Sequence, residues 1–418
     1  MKWHLILLLF LFSTAWALDS PRLARLEEEL SGAALEAFWA EVEESGGPLI
    51  EEWEEGTSLV TFVYQGRGDE RHVVLSSSVL ACDPAECLME RFGGTDLWFR
   101  SVVVDNEVRT KYTFVVNGSL VPFSTATLEE FLEEQRKDRS KWRADPFNGK
   151  GGEDYSVLEM PEAPEQRWVR RYVDMTKGAV AGHKLTSEIL GNRRKMRVYV
   201  PPHYSEEQGP YPLVVLFDGA AYDQAMMAPV IFDNLVGAGL VPPFVAVLVG
   251  NVNQASRREE LPCSPTFGRF IVEEVLPWVH ERYKVSAQPS DVVIGGASFG
   301  GLAAAYLALE YPEYFGNVLS QSGSFLWKPV GEERPSWLVR QYREREPVDV
   351  RFYLDVGSLE TFPFFGGPSL LESNREMRDV LLEKGYEVSY DEFKGGHDYV
   401  CWRGTLSEGL ISLLSRED

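Results

Sequence analysis

From residue 165 onward, short and almost wholly apolar runs alternate with stretches of helical periodicity, and this alternation restricts the fold more than any other feature of the chain. Leu213-Val214-Val215-Leu216-Phe217 and Phe244-Val245-Ala246-Val247-Leu248-Val249 contain no polar residue. A strand that is apolar on both faces belongs inside a parallel sheet, with helices packed above and below it. Residues 195–200, 291–294, 317–320, 351–356 and 387–393 read as further strands. Helices are expected at about 222–238, 266–284, 300–311, 370–384 and 404–415. Alternation sustained over ~250 residues predicts a doubly wound, mostly parallel α/β sheet.

The first third reads differently. Leu23, Leu26, Leu30, Leu35, Phe38 and Val42 recur at helical spacing, which predicts one amphipathic acidic helix over 21–45, stopped by Gly46-Gly47-Pro48. From 57 to about 120 the period changes to two, as in 59–64, 73–75, 97–104 and 111–116. Short strands separated by Gly, Asp and Asn turns predict a small antiparallel, immunoglobulin-like β-sandwich. The Glu-, Lys- and Gly-rich stretch 127–160 holds a short helix at 128–136 and then the connector to the α/β half. The expected organisation is a signal peptide at 1–17, a helical segment at 18–56, a sandwich at 57–150 and an α/β catalytic domain at 151–418.

Lys2, the unbroken apolar run 5–12 and Ala15-Trp16-Ala17 are the parts of a secretory signal, in the right order, with cleavage expected after Ala17. The apolar stretch is well short of the ~20 residues that a membrane span needs. Export, to a periplasm or to the medium, is the expectation, and it makes the four cysteines informative. Cys82 and Cys87 flank a turn-like Asp83-Pro84-Ala85-Glu86, which suits a local disulfide; Cys263–Cys401 would then be the long-range one, unless some thiols stay free and buried. No cysteine spacing resembles a zinc site, and six His leave little to build one from, so no metal or other cofactor is expected. With Lys+Arg 41 and Asp+Glu 64, the formal charge of −23 repels phosphate backbones and anionic membranes, which argues against nucleic acid as a partner.

Gly296-Ala297-Ser298-Phe299-Gly300 matches the G-x-S-x-G nucleophile elbow, and it stands between the strand 291–294 and the small-residue helix 300–311. That setting forces a strained backbone at the serine, with glycines allowing close packing on either side. A Gly/Ser turn without chemistry is the bland alternative. A serine hydroxyl needs a base, and in α/β-hydrolases the order is Ser, acid, His. His397 lies in Lys394-Gly395-Gly396-His397-Asp398-Tyr399, between the strand 387–393 and the last helix, and is the only His beyond His280. For the acid, Glu360 follows the strand 351–356 by a few residues; Asp355, inside that strand, is the alternative and is better placed for a structural hydrogen bond. Asp398 adjoins His397, and loop neighbours rarely point at each other. The oxyanion hole would use the N–H of Phe299 with that of Gly219 or Ala220. Arg257 and Arg258 follow the strand 244–249, at the sheet edge where ligands bind in open α/β folds. They would hold an anionic or phenolic substrate, or else pair with Glu259 and Glu260.

With these residues placed, 165–415 resembles the enterochelin (ferric enterobactin) esterase branch of the esterase D-like α/β-hydrolases. The resemblance rests on Leu213-Val214-Val215-Leu216-Phe217-Asp218-Gly219, Arg257-Arg258-Glu259-Glu260-Leu261-Pro262-Cys263, Gly295-Gly296-Ala297-Ser298-Phe299-Gly300-Gly301, Gly395-Gly396-His397-Asp398 and Trp402, and on the spacing between them. The first half is similar to that family's sandwich domain through Val60-Thr61-Phe62, Gly94-Thr95-Asp96-Leu97-Trp98, Tyr112-Thr113-Phe114 and Asp145-Pro146-Phe147-Asn148. The resemblance implies ester hydrolysis with Ser298 as nucleophile and His397 as base. It implies Arg257 as a contact for a siderophore's catecholate or backbone, and the sandwich as a lid. Two features depart from it: the family's well-known cytoplasmic members lack a signal peptide, and a charge of −23 suits an anionic siderophore poorly.

The expected activity is therefore serine ester hydrolysis through an acyl-enzyme, on an enterobactin-like trilactone. The alternatives are a feruloyl or acetyl esterase acting on polysaccharide, or a hydrolase-fold protein that binds a ligand without cleaving it. The expected partner is a small-molecule ester.

Overall fold

A computed structural model describes residues 20–172 and 175–415. The expected signal peptide lies outside the described residues.

Among the described residues, eight strands build the N-terminal domain: β1 (Leu49–Glu52), β2 (Thr57–Gln65), β3 (Val73–Ser77), β4 (Glu90–Arg91), β5 (Leu97–Asp105), β6 (Arg109–Val116), β7 (Trp142–Arg143) and β8 (Ser156–Glu159). One antiparallel sheet has the order β1-β2-β5-β4; in the other, β3, β7 and β8 all pair with β6. Phe62, Leu75, Trp98, Tyr112 and Phe114 fill the space between them. Strand β2 is buried from 58 to 64, on both faces. The reason is that α1 (Pro21–Glu28) and α2 (Gly32–Ser45) press Leu23, Leu26, Phe38 and Val42 onto Val63, Leu97 and Phe99 on the outer side. The one helix expected over 21–45 is thus two, because Ser31 starts the second by accepting from Ala34 N at 3.1 Å. The sandwich also runs past the boundary expected at residue 150: β8 lies beyond it, a four-residue strand hidden in sequence by the polar connector around it. Between β6 and β7 lies α3 (Leu128–Asp138).

The second domain is an eight-stranded sheet of β9 (Ala179–Ser187), β10 (Asn192–Val200), β11 (Leu213–Leu216), β12 (Val245–Val249), β13 (Val292–Ala297), β14 (Asn317–Gln321), β15 (Arg351–Gly357) and β16 (Val388–Phe393), in the order β16-β15-β14-β13-β11-β12-β10-β9. It is parallel from β16 to β12, and the β9–β10 hairpin extends it antiparallel. Strands β11 and β12 are buried at every position, each large aliphatic side chain contributing about 1.5–3 kcal/mol. Helices α4 (Gly219–Gln224), α5 (Ala228–Gly237) and α12 (Tyr399–Leu414) cover one face. On the other lie α7 (Pro265–Arg269), α8 (Leu276–Arg282), α9 (Phe299–Glu310), α10 (Trp337–Glu344) and α11 (Leu370–Glu383), while α6 (Gln254–Glu260) follows β12 at the sheet edge.

Cys82 and Cys87 form a disulfide, but Cys263 and Cys401 do not bond to each other. The sheet separates them. Cys263 packs into the core on one face, whereas Cys401 belongs to α12 on the other and donates its thiol hydrogen to Arg109 O at 3.0 Å. Among the described residues no helix is long and apolar enough to cross a membrane.

Candidate active site

Strand β13 ends at Ala297 and α9 begins at Phe299, so Ser298 alone turns the chain. Its φ of 59° and ψ of −119° are strained for a residue with a Cβ. Gly296 makes the turn possible, since a Cβ there would lie 2.8 Å from Gly300 Cα and carbonyl carbon. The loop after β14 holds the elbow from the side: Ser298 N donates to Gln321 O at 2.8 Å, and Ser324 N donates to Ser298 O at 3.1 Å. The Ser298 hydroxyl bonds to Ser324 Oγ at 3.1 Å rather than to His397.

Past the neighbouring strands, His397 Nδ1 lies 2.6 Å from Glu360 Oε2. A carboxylate only accepts, so Nδ1 carries the proton and Nε2 is the basic nitrogen. Glu360 is buried, its side chain 1% exposed, but its other oxygen is well satisfied. Oε1 accepts from Ser322 Oγ at 2.5 Å and from Gly357 N at 2.8 Å. Trp402 Nε1 donates to the same Ser322 hydroxyl at 2.9 Å, and its ring meets the imidazole edge-on at 4.7 Å between centroids. Ser322 and Trp402 therefore fix acid and base together.

The other two acids turn elsewhere. Asp355 is fully buried in β15, and among the described residues no well-formed hydrogen bond reaches either carboxylate oxygen; the Gln321 amide beside it donates to Trp402 O at 2.8 Å and Thr405 Oγ1 at 2.7 Å. Burial pushes its pKa up to about 8. Asp398 Oδ1 caps α12 by accepting from Cys401 N at 3.0 Å, and Oδ2 accepts from Thr110 Oγ1 at 2.9 Å and Lys111 N at 3.1 Å, both on β6. The His397 loop in fact runs along that strand of the sandwich: Arg109 N donates to Lys394 O at 3.1 Å, and Arg109 and Gly395 form a parallel bridge.

Phe299 opens α9, and Gly219 and Ala220 open α4. N–H groups in a first helical turn have no intrahelical acceptor and favour negative charge. Only glycine fits at 219, where a Cβ would lie 2.6 Å from Leu248 carbonyl carbon and oxygen. Just before it, Asp218 is gripped by Arg257 through Nε–Oδ1 and Nη2–Oδ2 contacts, both 2.6 Å, and also accepts from Asn251 Nδ2. Burial opposes the Arg257 charge, but the Asp218 carboxylate outweighs it and holds the pKa above its ordinary value. The Arg257 guanidinium also stands 5.5 Å from the centroid of the Phe299 ring. Arg257 thus braces both helix starts. It does not pair with Glu259 or Glu260; Glu260 instead holds the buried Arg194 at 2.7 and 3.0 Å. Arg258 is exposed on α6.

A cavity of about 400 Å³ lies against His397 and Glu360. The α/β domain lines it with Leu359, Phe362, Phe364 and Tyr399, and the sandwich with Lys111, Tyr112, Arg139, Trp142, Tyr155 and the Cys82–Cys87 disulfide. Ser298 is not among the residues that line this cavity; it is tied to the Glu360–His397 pair through the 321–324 loop, whose Ser322 donates to Glu360. Sequence reasoning missed Ser322, Ser324 and Asp218 as contributors. The usable signal was position, since Gln321-Ser322-Gly323-Ser324 follows a buried strand at the edge where the elbow stands. Among the described residues no group of His, Cys, Asp and Glu could hold a metal ion.

A strained serine between a central strand and its helix, and a carboxylate-bound histidine after the last strand, sit on the frame of an α/β-hydrolase-type esterase with an N-terminal β domain. The profile of the family described as putative esterase matches residues 187–413, and that described as enterochelin esterase, N-terminal, matches 59–169. The chain belongs to the enterochelin esterase family and is a carboxylic ester hydrolase. The iron(III) enterobactin esterase of Escherichia coli O6:H1 is 33% identical over 335 residues, spanning 78% of this chain and 81% of its own. That of Dickeya dadantii is 29% identical over 426 residues, spanning 92% and 94%. The crystal structure of the Shigella flexneri enterobactin esterase in the presence of enterobactin superposes with a TM-score of 0.72 at 28% identity, over 90% of this chain and 97% of that one.

Proposed function

We propose that this enzyme cleaves the ester bonds of a siderophore, an enterobactin-like trilactone, through an acyl-enzyme. Ser298 attacks the ester carbonyl while His397 Nε2 takes its proton. Glu360 keeps the proton on Nδ1 and offsets the charge of the imidazolium. The N–H groups of Phe299 and of Gly219 or Ala220 hold the oxyanion. His397 returns the proton to the departing alkoxide, then takes one from a water that attacks the acyl-enzyme and gives it to Ser298 Oγ as the acyl–oxygen bond breaks and the acid leaves. To start, the Ser298 hydroxyl exchanges Ser324 for His397.

The observation that carries this reading is the 2.6 Å Glu360–His397 contact, with the acid locked from behind by Ser322 and Gly357. The trilactone is supported by the relatives' activity and by the cavity walls, where aromatic rings can stack on catechols and Lys111 and Arg139 can meet their negative charge. The family match over the sandwich, which forms one wall, favours it over a polysaccharide ester. Export is part of the proposal: residues 1–17 read as a signal, and a Cys82–Cys87 disulfide suits an oxidising compartment.

The test is labelling and turnover. A fluorophosphonate should modify wild-type protein at Ser298, and Ser298→Ala should release no acid from the trilactone. Turnover by the alanine variant at the wild-type rate would sink the assignment. An intact N-terminus at Met1 on protein recovered from the native host's periplasm or medium would sink the signal.

A further inference from the structure

Behind the main cavity, with Tyr155 in the wall between them, a second cleft of about 250 Å³ opens where the sandwich meets α12. Arg109 of β6, Lys150, Glu159 of β8 and Arg403 of α12 line it. Three cations face one carboxylate, a surplus of two positive charges in a chain whose overall charge is −23.

Glu159 is fully occupied. It stands opposite Arg109 in the strand register and accepts on Oε1 from Arg109 Nη2 at 2.5 Å and Nε at 3.2 Å. Its Oε2 takes Lys150 Nζ. Lys150 first, and Arg109 after it, hold its pKa down at about 2. Arg403 has no such partner. Its Nε donates to Gln166 Oε1 at 2.7 Å, and among the described residues no carboxylate pairs with its guanidinium. Burial, and then the like charge of Arg109, hold its pKa below the ordinary value, which Asp398 and Glu159 do not cancel. Two guanidiniums brought together from different domains, one without a counter-ion, are costly unless an anion joins them.

We propose that this cleft binds a small tetrahedral dianion, phosphate or sulfate, between the terminal nitrogens of Arg403 and those of Arg109 and Lys150. Each Nη of Arg109 and the Nζ of Lys150 keep hydrogens beyond the bonds they already make, so donors converge from three elements. The double charge surplus selects a dianion over a monocarboxylate. Once bound, the anion ties the sandwich to the first turns of α12, the helix that begins two residues after His397.

The test follows the unfolding temperature of the full-length protein during titration with sodium phosphate or sodium sulfate, against sodium chloride at equal ionic strength. The expected result is a saturable rise with phosphate and sulfate only. Arg403→Gln should weaken the apparent affinity about tenfold, ~1.4 kcal/mol, and Lys150→Gln should weaken it less. A phosphate response equal to that of chloride, an Arg403→Gln titration superimposable on wild type, or saturation by acetate as tight as by phosphate would overturn the proposal. If Arg403→Gln folds poorly, Arg403→Lys keeps the charge and loses the planar fork, and should still weaken binding. The readout needs no ester turnover, so its failure would leave the hydrolase assignment standing.

Discussion

Thr110 and Asp398 are 288 residues apart in sequence, and the hydroxyl of one donates to the carboxylate of the other at 2.9 Å. Thr110 belongs to the sandwich, and Asp398 follows the candidate base His397. The domain expected to act as a lid therefore also holds the loop that carries the candidate base.

Thr110→Val removes that hydrogen bond and leaves the buried carboxylate with only its backbone donors. Bonds to charged groups contribute about 1.5–3 kcal/mol. The variant should unfold at lower denaturant concentration and lose turnover more than it loses substrate affinity. Steady-state kinetics beside a denaturant titration would check both, and an unchanged kcat would separate the sandwich from the base.

Glu360→Gln keeps the size of the side chain but presents an amide to His397 Nδ1. The imidazole then loses its fixed tautomer and the support for its positive charge. We expect kcat to fall by about 10²–10⁴, with KM little changed. Asp355→Asn should have no comparable effect on turnover.

Asp355 should instead reveal itself in stability. Its folded pKa is raised to about 8 from an ordinary 3.8, so the folded state binds more protons between those values than the unfolded one. Stability is therefore lost as pH rises from near 4 to near 8 and is level above that. Asp355→Asn should erase this slope, and its advantage over wild type should grow across the same window. Thermal unfolding at several pH values would show it; parallel curves for the two proteins would refute it.

Arg257→Lys retains one charge near Asp218 but not the two-pronged grip. If Arg257 acts by bracing the starts of α4 and α9, the change should lower kcat by about tenfold or more and leave KM nearly untouched, since a lost oxyanion donor costs about 10²–10³. A rise in KM at constant kcat would mean that the guanidinium touches substrate instead.

Cys82 and Cys87 close a short loop whose Asp83 accepts from Phe123 N at 2.6 Å and Ser124 N at 3.0 Å, on the sandwich side of the cavity. Cys82→Ser/Cys87→Ser should cost about 2 kcal/mol of stability and raise KM. Chemical denaturation and trilactone kinetics would measure the two effects.

Much of the fold is readable in the sequence. Apolar runs such as 213–217 announce a central parallel strand, because only burial on both faces tolerates them. The serine elbow and His397 were legible because strand, glycine and helix signals bracket them. What failed was non-local. In the antiparallel edge strand β9, Gly182, His183 and Lys184 interrupt the few apolar residues, and β8 is four residues inside a polar connector. Arg257 and its neighbouring glutamates invited a local pairing, yet its partner is Asp218, thirty-nine positions away. The Cys263–Cys401 pairing failed for the same reason, as sequence does not say on which side of a sheet a residue falls.

The short bridge between Arg109 and Gly395 makes the two halves poor candidates for exchange. A hydrolase half grafted onto a foreign cap would arrive with its histidine segment untethered, and the sandwich alone would lose a neighbour that lengthens its second sheet. Any exchange of the cap would have to reproduce the Arg109–Gly395 seam to keep the His397 segment tethered.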